Sequence, residues 1–340
     1  MPKKLIIIDN ESIFTKDNIF YCDNIEAKSI SEGLNKNFEV FLFARKSKIQ
    51  RSHKINLKKI NISSNIFGFL LNIFKTIKNK ETKYLLISIS PYTFLSGVFL
   101  FFFRKKVYVY LRSDGYKEYK KILSFVGPII FHSMFTIISW KANLISCNSN
   151  ILKGKKGKIV SPSQLTETWF SSHQNANLKN ISLLYVGRLK VEKGIFSLLK
   201  ILPTLKVDAK LSVVPVETNY RNEKKQKNVE YIKFKNDNGS IKEIYDSHNI
   251  FILPSFTEGH PQVLDESLSR LRPVIIFEEI SHIIGNRKGI FISKRDSESL
   301  SNTITYIMNN YGSIQDSIRK NILPTKENFL KQMLLIINES

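Results

Sequence analysis

Residues Glu258-Gly259-His260-Pro261-Gln262-Val263-Leu264-Asp265-Glu266 decide how this chain is read. They follow an apolar, strand-like run, Asn249–Pro254, and open a helix-like one. Glu258 and Glu266 stand eight positions apart, a little over two helical turns. A helix beginning near Pro261 sets Glu266 on the same side as the loop that carries Glu258. Gly259 lets the backbone come close to a ligand, and the unpaired N–H groups of a first helical turn point at it. Strand, glycine turn, helix start and two flanking carboxylates suit a ligand with hydroxyls to donate and phosphates to be cradled. A nucleotide sugar has both.

A second strand-to-helix junction lies upstream, at Tyr185-Val-Gly-Arg-Leu-Lys-Val-Glu-Lys-Gly194. Gly187 ends the strand and clears space. Arg188 offers a planar fork for phosphate oxygens. Lys193 is expected in the first helical turn, where a cation is unfavourable beside the helix dipole, so an anion is expected to face it.

Outward from these junctions the chain alternates strand-like and helix-like runs, the habit of parallel sheets covered on both faces. The first half has strands at Lys4–Asp9, Glu39–Ala44, Tyr84–Ile89, Val107–Leu111 and Leu144–Cys147. The second half has strands at Ser182–Val186, Lys210–Val214, Val229–Phe234, Ile250–Leu253, Pro273–Phe277 and Gly289–Ile292. Patterning is weakest between Gly154 and Asn180, where the domain junction is placed. The expected organisation is a first domain over 1–165, a second over 175–320, and a closing helical segment, 321–340, that packs back on the first domain.

The 340 residues are 42% hydrophobic, enough for two real cores and too much for a disordered chain. Cys22 and Cys147 are far apart with no metal-binding spacing, which fits a reducing, cytoplasmic compartment. The net charge of +23 is uneven. Residues 1–170 hold 28 Lys/Arg against 11 Asp/Glu, or +17, and residues 171–340 hold 24 against 18, or +6. A lysine-favouring genome explains many lysines but not the loss of acids from one half. The alternative is an anionic partner for that half, such as a membrane surface or a lipid diphosphate. A nucleic acid is disfavoured, because no recognised module or interleaved aromatic stacking motif is present.

Two apolar runs bear on the membrane. Tyr84–Phe103 is 20 residues without a charge, long enough to span, but Pro91 splits it. A strand, a turn and a buried helix is the preferred reading. Ile122–Trp140 is also uncharged and is interrupted by Gly127-Pro128 and His132. Either run can instead lay an apolar face on a bilayer without crossing it.

Gly187-Arg188 followed by Glu192-Lys193-Gly194, then Pro254-Ser255, Glu258-Gly259 with Glu266, and Pro273-Val274-Ile275 resemble the family 4 glycosyltransferases of the GT-B fold, the glycosyl transferases group 1. The resemblance runs across about 180–310. In the first half it rests on the alternation alone. It implies an α/β protein of two Rossmann-like domains whose parallel sheets face across a cleft. It also implies a retaining transfer from a nucleotide-sugar donor to a saccharide acceptor, without an essential metal or other cofactor. By the same resemblance Arg188 and Lys193 bind the donor diphosphate, Glu266 takes the ribose hydroxyls, and Glu258 holds the transferred sugar. Glu258, Arg188 and Lys193 are the catalytic candidates, and Gly187, Gly259, His260, Gln262 and Val263 complete the donor-binding set. Arg112 and Asp114, at a strand-to-helix junction of the first half, are candidates for acceptor contact. Asp114 with Gly115 equally reads as a turn that caps the next helix.

The expected acceptor is a lipid-linked saccharide of a bacterial surface polysaccharide, met at the inner face of an anionic membrane by a cytoplasmic, peripheral enzyme. A soluble acceptor and a non-catalytic sugar-binding subunit are the alternatives. Departures from the family pattern are Gly-His-Pro after Glu258, Asp265 as a rival carboxylate, Arg270-Leu271-Arg272 where small residues are usual, and no glycine in Asp9–Lys16 after the first strand. Asp296-Ser-Glu298 reads as a helix N-terminus rather than an acidic metal pair.

Overall fold

The computed structural model describes residues 3–215, 226–233 and 238–339. Phe234, the end of one expected strand, lies outside them. The chain divides into two compact units. Unit 1 is Met1–Gln164 with Lys326–Ser340, and unit 2 is Leu165–Thr325.

Unit 1 is built from β1 (Lys4–Lys16), β2 (Ile19–Cys22), α1 (Ile25–Leu34), β3 (Glu39–Lys46), β4 (His53–Ile55), β5 (Ile60–Ser63) and α2 (Ile66–Phe74). Then come β6 (Lys83–Ile87), α3 (Pro91–Phe102), β7 (Val107–Leu111), α4 (Gly115–Leu123), α5 (Val126–Lys141), β8 (Asn143–Ser146) and β9 (Gly157–Ile159). Its parallel strands lie in the order β5-β3-β1-β6-β7-β8-β9. The strand order therefore reverses between β1 and β6. In such sheets the crevice beyond the carboxyl ends of the strands at that point is where ligands bind.

The period of two along β1 divides the core. Ile6 and Ile8 pack with Phe69 of α2, Leu100 of α3 and Phe135 of α5. Leu5 and Ile7 pack with Ile30 of α1 and with Phe329 and Met333 of the chain's last helix. β1 runs on past Asp9, where a loop was expected. It shifts register between Ile8 and Ser12 and then pairs antiparallel with β2, which pairs with β4. Arg45 holds the irregular stretch by donating to Asn10 O and Ser12 Oγ.

The two apolar runs resolve into short elements. Ser88, with φ +61°, turns the chain out of β6, and Pro91 opens α3 behind a Ser90–Thr93 capping box. The second run breaks at Ser124 (φ +53°) between α4 and α5. A Cβ at Gly127 would lie 2.0 Å from Tyr119 O, so only glycine lets these two helices meet so closely. No helix among the described residues is long and apolar enough to cross a membrane. Neither helix is fully buried, a correction to the preferred reading, because α3 leaves Leu95, Val98 and Phe102 exposed.

Unit 2 holds β10 (Ile181–Gly187), α6 (Ile195–Ile201), β11 (Ala209–Pro215), β12 (Val229–Tyr231), α7 (Asn238–Asp246), β13 (Ile250–Leu253) and α8 (Gln262–Ser269). It continues with β14 (Val274–Phe277), β15 (Ile290–Ser293), α9 (Ser297–Asn309) and α10 (Tyr311–Arg319). The last helix, α11 (Lys326–Asn338), belongs to unit 1. The second sheet is wholly parallel in the order β12-β11-β10-β13-β14-β15, so its switch point lies between β10 and β13. Both strands end at the motifs that opened the sequence reading.

Arg270 and Arg272 are buried in unit 2. Arg270 forks onto both oxygens of the buried Asp246 at 2.9 and 2.6 Å, and also donates to the carbonyls of Trp169, Ser171 and Ser172. Arg272 donates to Gln174 O and Asp246 O. These cations take the place of small residues because they fasten the poorly patterned stretch 169–174 to unit 2. Leu271 between them has φ +58°, a strained conformation that a glycine would adopt at little cost.

Candidate active site

Gly187 ends β10, and the hydroxyl of buried Tyr185 donates to Arg188 O at 2.7 Å, fixing the backbone where the strand stops. The Arg188 side chain is exposed beyond it. Lys193 is not in the first turn of a helix, as expected, but in a short 3₁₀ turn, Val191–Lys193. Gly194 follows with φ +67°, and α6 starts only at Ile195. A Cβ at Gly194 would fall 1.7 Å from Pro254 O, so this glycine brings the β10 and β13 junctions together. Phe256 N donates to Glu192 O at 3.0 Å and completes the join.

The consequence is a contact between residues 65 positions apart. Lys193 Nζ lies 2.6 Å from Glu258 Oε1, and the same oxygen accepts from Ser255 Oγ at 2.6 Å. Both charged side chains are largely shielded from water. Among the described residues no donor reaches Glu258 Oε2. His282 Nε2 is 3.1 Å from the Glu258 carbonyl and steadies the loop. Gly259 is exposed, with open space where a Cβ would stand. His260, Gln262 and Val263 follow, half-buried, at the start of α8, whose first N–H groups have no partner within the helix.

The sequence left Asp265 and Glu266 as rivals, and their surroundings separate them. Asp265 is buried and takes Arg287 Nη1 at 2.7 Å, with His260 Nε2 at 3.6 Å. Glu266 Oε2 accepts from the hydroxyl of Tyr245 at 2.9 Å and, among the described residues, meets no cation. Burial pushes its carboxyl up to about 7, against the Tyr245 hydrogen bond and with help from the neighbouring Asp265 charge. Asp265 is thus held by Arg287, whereas Glu266 is held by the Tyr245 hydroxyl alone among the described residues.

Arg295 and Tyr245 were not singled out from sequence, and Ser255 was quoted only as part of the family motif. The Arg295 guanidinium stacks over Phe256 at 4.1 Å and Phe277 at 4.2 Å, donates to Pro254 O, and pairs with Glu279. Only proximity in the fold reveals it. Asp296 accepts from Ser299 N at 2.8 Å as the N-cap of α9, the role read from the sequence.

The acceptor candidates of unit 1 part company. Asp114 caps α4, with Oδ1 accepting from Tyr116 N, and its other oxygen takes Lys153 Nζ at 2.8 Å. The turn-and-cap reading therefore describes Asp114. Arg112, half-buried beyond β7, donates weakly to Ser88 Oγ at 3.4 Å and lies 3.9 Å from Glu26 Oε2. Glu26 Oε1 accepts from Tyr110 OH at 2.5 Å. Asp9, not a site candidate from sequence, joins this group at the switch point of the first sheet. Only 4% exposed, it uses Oδ1 to accept from Glu11 N and leaves Oδ2 without a hydrogen bond. Burial raises its carboxyl to about 6, against the attraction of Arg112.

Comparisons with known proteins agree with this geometry. A family model described as glycosyl transferases group 1 matches residues 167–323. A putative teichuronic acid biosynthesis glycosyltransferase, TuaC of Bacillus subtilis (strain 168), is 29% identical over 124 residues, 36% of this chain and 31% of that protein. The chain thus spans about a third of the length of the curated relative it matches. Among solved structures, the apo form of the lipopolysaccharide outer core galactosyltransferase WaaB aligns with a TM-score of 0.68 at 12% identity over 99% of both chains. Anabaena Alr3699/HepE, solved with UDP-glucose, aligns at 0.67 and 11%, covering 99% of this chain and 97% of that one. Residues 167–323 thus match the glycosyl transferases group 1 family, and the chain has the two-sheet α/β architecture of GT-B glycosyltransferases.

Proposed function

We propose that this protein transfers a sugar, with retention, from a nucleotide-sugar donor to a lipid-linked saccharide of a bacterial surface polysaccharide. The observation that carries the reading is the Lys193–Glu258–Ser255 contact at the switch point of the second sheet, beside the start of α8. Arg188 and Lys193 meet the donor diphosphate and stabilise charge that grows as the nucleotide leaves. Each such contact is typically worth on the order of 2–4 kcal/mol of barrier. These two cations supply the counter-charge, so the reading calls for no essential metal. Glu258 is held in place through Oε1 and offers Oε2 to hydroxyls of the transferred sugar. Glu266 accepts from the ribose.

In unit 1 the reading gives the acceptor hydroxyls to Asp9 Oδ2 and Arg112, an unmatched acceptor beside a cation. The likeness to TuaC, a putative teichuronic acid biosynthesis glycosyltransferase, and to WaaB, a lipopolysaccharide galactosyltransferase, supports a bacterial glycan, and the UDP-glucose bound by HepE supports a uridine nucleotide sugar. The reaction belongs on the cytoplasmic side, where such donors are made.

The test is the anomer released when the enzyme slowly hydrolyses its donor, with water as the acceptor. From an α-linked UDP-hexose the α-hexose should appear first in the proton NMR spectrum, before mutarotation. Release of the β-anomer first would exclude retention.

A further inference from the structure

We propose that the outer face of the α2–α3–α5 layer in unit 1 docks on an anionic lipid bilayer. The proposal deepens the membrane-linked acceptor of the function above, and its test reads binding rather than turnover. The layer's inner side is the core described above. Its outer side is apolar as well. On α2 the exposed residues are Phe67, Leu71 and Phe74, at spacings of four and three. On α3 they are Leu95, Val98 and Phe102, at three and four. These are stripes of one helical face, and Phe67 and Phe102 are 82% and 84% exposed.

α5 shows the problem most clearly. It buries Gly127, Phe131, Met134, Phe135 and Ile138, yet Val126, Ile129, Ile130, Ile137 and Trp140 form a second stripe in solvent. α5 also exposes His132, Ser133 and Thr136, yet it carries more apolar surface than one covered face accounts for. The helices are neighbours, since α3 packs on both α2 and α5, and Phe74 meets Phe99 and Phe103 at ring distances of 6.3 and 5.7 Å. Monomeric soluble proteins rarely expose a contiguous apolar patch larger than about a few hundred Å² without a partner.

The charge around the patch identifies the partner. Between Asn65 and Lys141 there are 12 Lys/Arg and 3 Asp/Glu, a net +9. Lys75, Lys78 and Lys80 follow α2, Arg104 and Lys106 follow α3, and Lys117, Lys120 and Lys121 stand exposed on α4. Trp140 lies at the end of α5 beside Lys141, whose ammonium is 4.7 Å from its ring. Apolar stripes rimmed by lysines, with a terminal tryptophan, suit an interface whose interior is hydrocarbon and whose surface is anionic. A second copy fits poorly, because two such rims would face like charge with like. The helices are too short to cross, so the layer lies on the bilayer.

Flotation of the full chain with phosphatidylcholine vesicles, with and without one quarter phosphatidylglycerol, tests this. The wild type should float with the anionic vesicles, less at high salt, and far less with neutral ones. Replacing Lys117, Lys120 and Lys121 by Ala should weaken partitioning roughly 100-fold, from about five-fold per basic residue near the surface. The combined Phe67→Glu, Phe102→Glu and Ile129→Glu variant should not float. All three positions are exposed, so its thermal transition and nucleotide binding should be retained.

The chain has two tryptophans, and Trp169 is only 3% exposed, so a vesicle-induced blue shift of emission should come from Trp140 and vanish in Trp140→Phe. A wild type that ignores anionic vesicles would overturn the proposal. So would flotation with unshifted emission that survives the triple substitution. A concentration-dependent doubling of mass without vesicle binding would assign the face to a second copy instead. Failure of flotation leaves nucleotide binding by unit 2 untouched, and failure of nucleotide binding leaves flotation untouched.

Discussion

Lys193 and Glu258 form one electrostatic unit, and that changes what each can be expected to do. Removing the lysine strips a partly buried carboxylate of its cation and weakens donor binding at the same time. Lys193→Ala should therefore lower both stability and nucleotide affinity, whereas Arg188→Ala, at an exposed position, should lower affinity alone. Thermal melting with and without nucleotide separates the two, and equal melting temperatures for both variants would contradict the pairing. Glu266 gives a pH signature. Its carboxyl is raised from the ordinary 4.5 to about 7, so its ionisation opposes folding. That contribution to stability is intact below about 4.5 and lost as pH rises through 7. Ribose hydroxyls donate best to the ionised form, so nucleotide affinity should increase from pH 6 to 8, and Glu266→Gln should flatten the profile. A wild-type profile as flat as the variant's would count against the ribose role. Lys193, Glu258 and Glu266 were legible in sequence because charged residues at strand-to-helix junctions stand out there. The Lys193–Glu258 contact, the stack of Arg295 on Phe256 and Phe277, and the division of labour between Asp265 and Glu266 were not. Each depends on which strand ends the topology makes neighbours.

At the scale of elements, the two junctions of unit 2 are held by backbone shape and by buried arginine. Gly194→Ala adds a Cβ 1.7 Å from Pro254 O and asks for a left-handed conformation that alone costs roughly 1–2 kcal/mol. The variant should lose several degrees of melting temperature and nucleotide binding together. Arg270→Leu leaves Asp246 buried without its fork and should cost about 3–5 kcal/mol. Arg270→Lys should recover little, because one ammonium cannot serve Asp246 and the carbonyls of Trp169, Ser171 and Ser172 together. Denaturant titration measures both, and full rescue by lysine would refute the role of the fork. Asp114→Ala removes a helix cap and an ion pair, so it should cost about 0.5–2 kcal/mol and leave nucleotide binding unchanged. Strong elements were legible. Asn24 marks the start of α1 and accepts from the N–H groups of Glu26 and Ala27. The extension of β1 was not, because Asn10-Glu11-Ser12 has loop composition and is strand only through its register shift and its tie to Arg45.

Over the whole molecule, the alternation of strand and helix was enough to indicate two parallel sheets. It could not order the strands, because order is fixed by long-range pairing and by the handedness of crossovers. The order found reverses between β1 and β6 in one unit and between β10 and β13 in the other, which places Asp9 with Arg112 and Lys193 with Glu258 at the two switch points, where ligands bind in sheets of this kind. The uneven charge acquires a location in the same way, since the lysines of unit 1 rim an apolar helix face that composition alone could not reveal. The central claim is that the edge of the second sheet is a nucleotide-sugar site. Calorimetric titration of UDP, GDP, ADP and CMP into the wild type and Arg188→Ala, at moderate salt, tests it most directly. The account predicts saturable binding of one nucleoside diphosphate in preference to the rest, lost or strongly weakened in the variant. Equal, salt-sensitive binding of all four, unchanged by the substitution, would contradict it and leave only a basic surface.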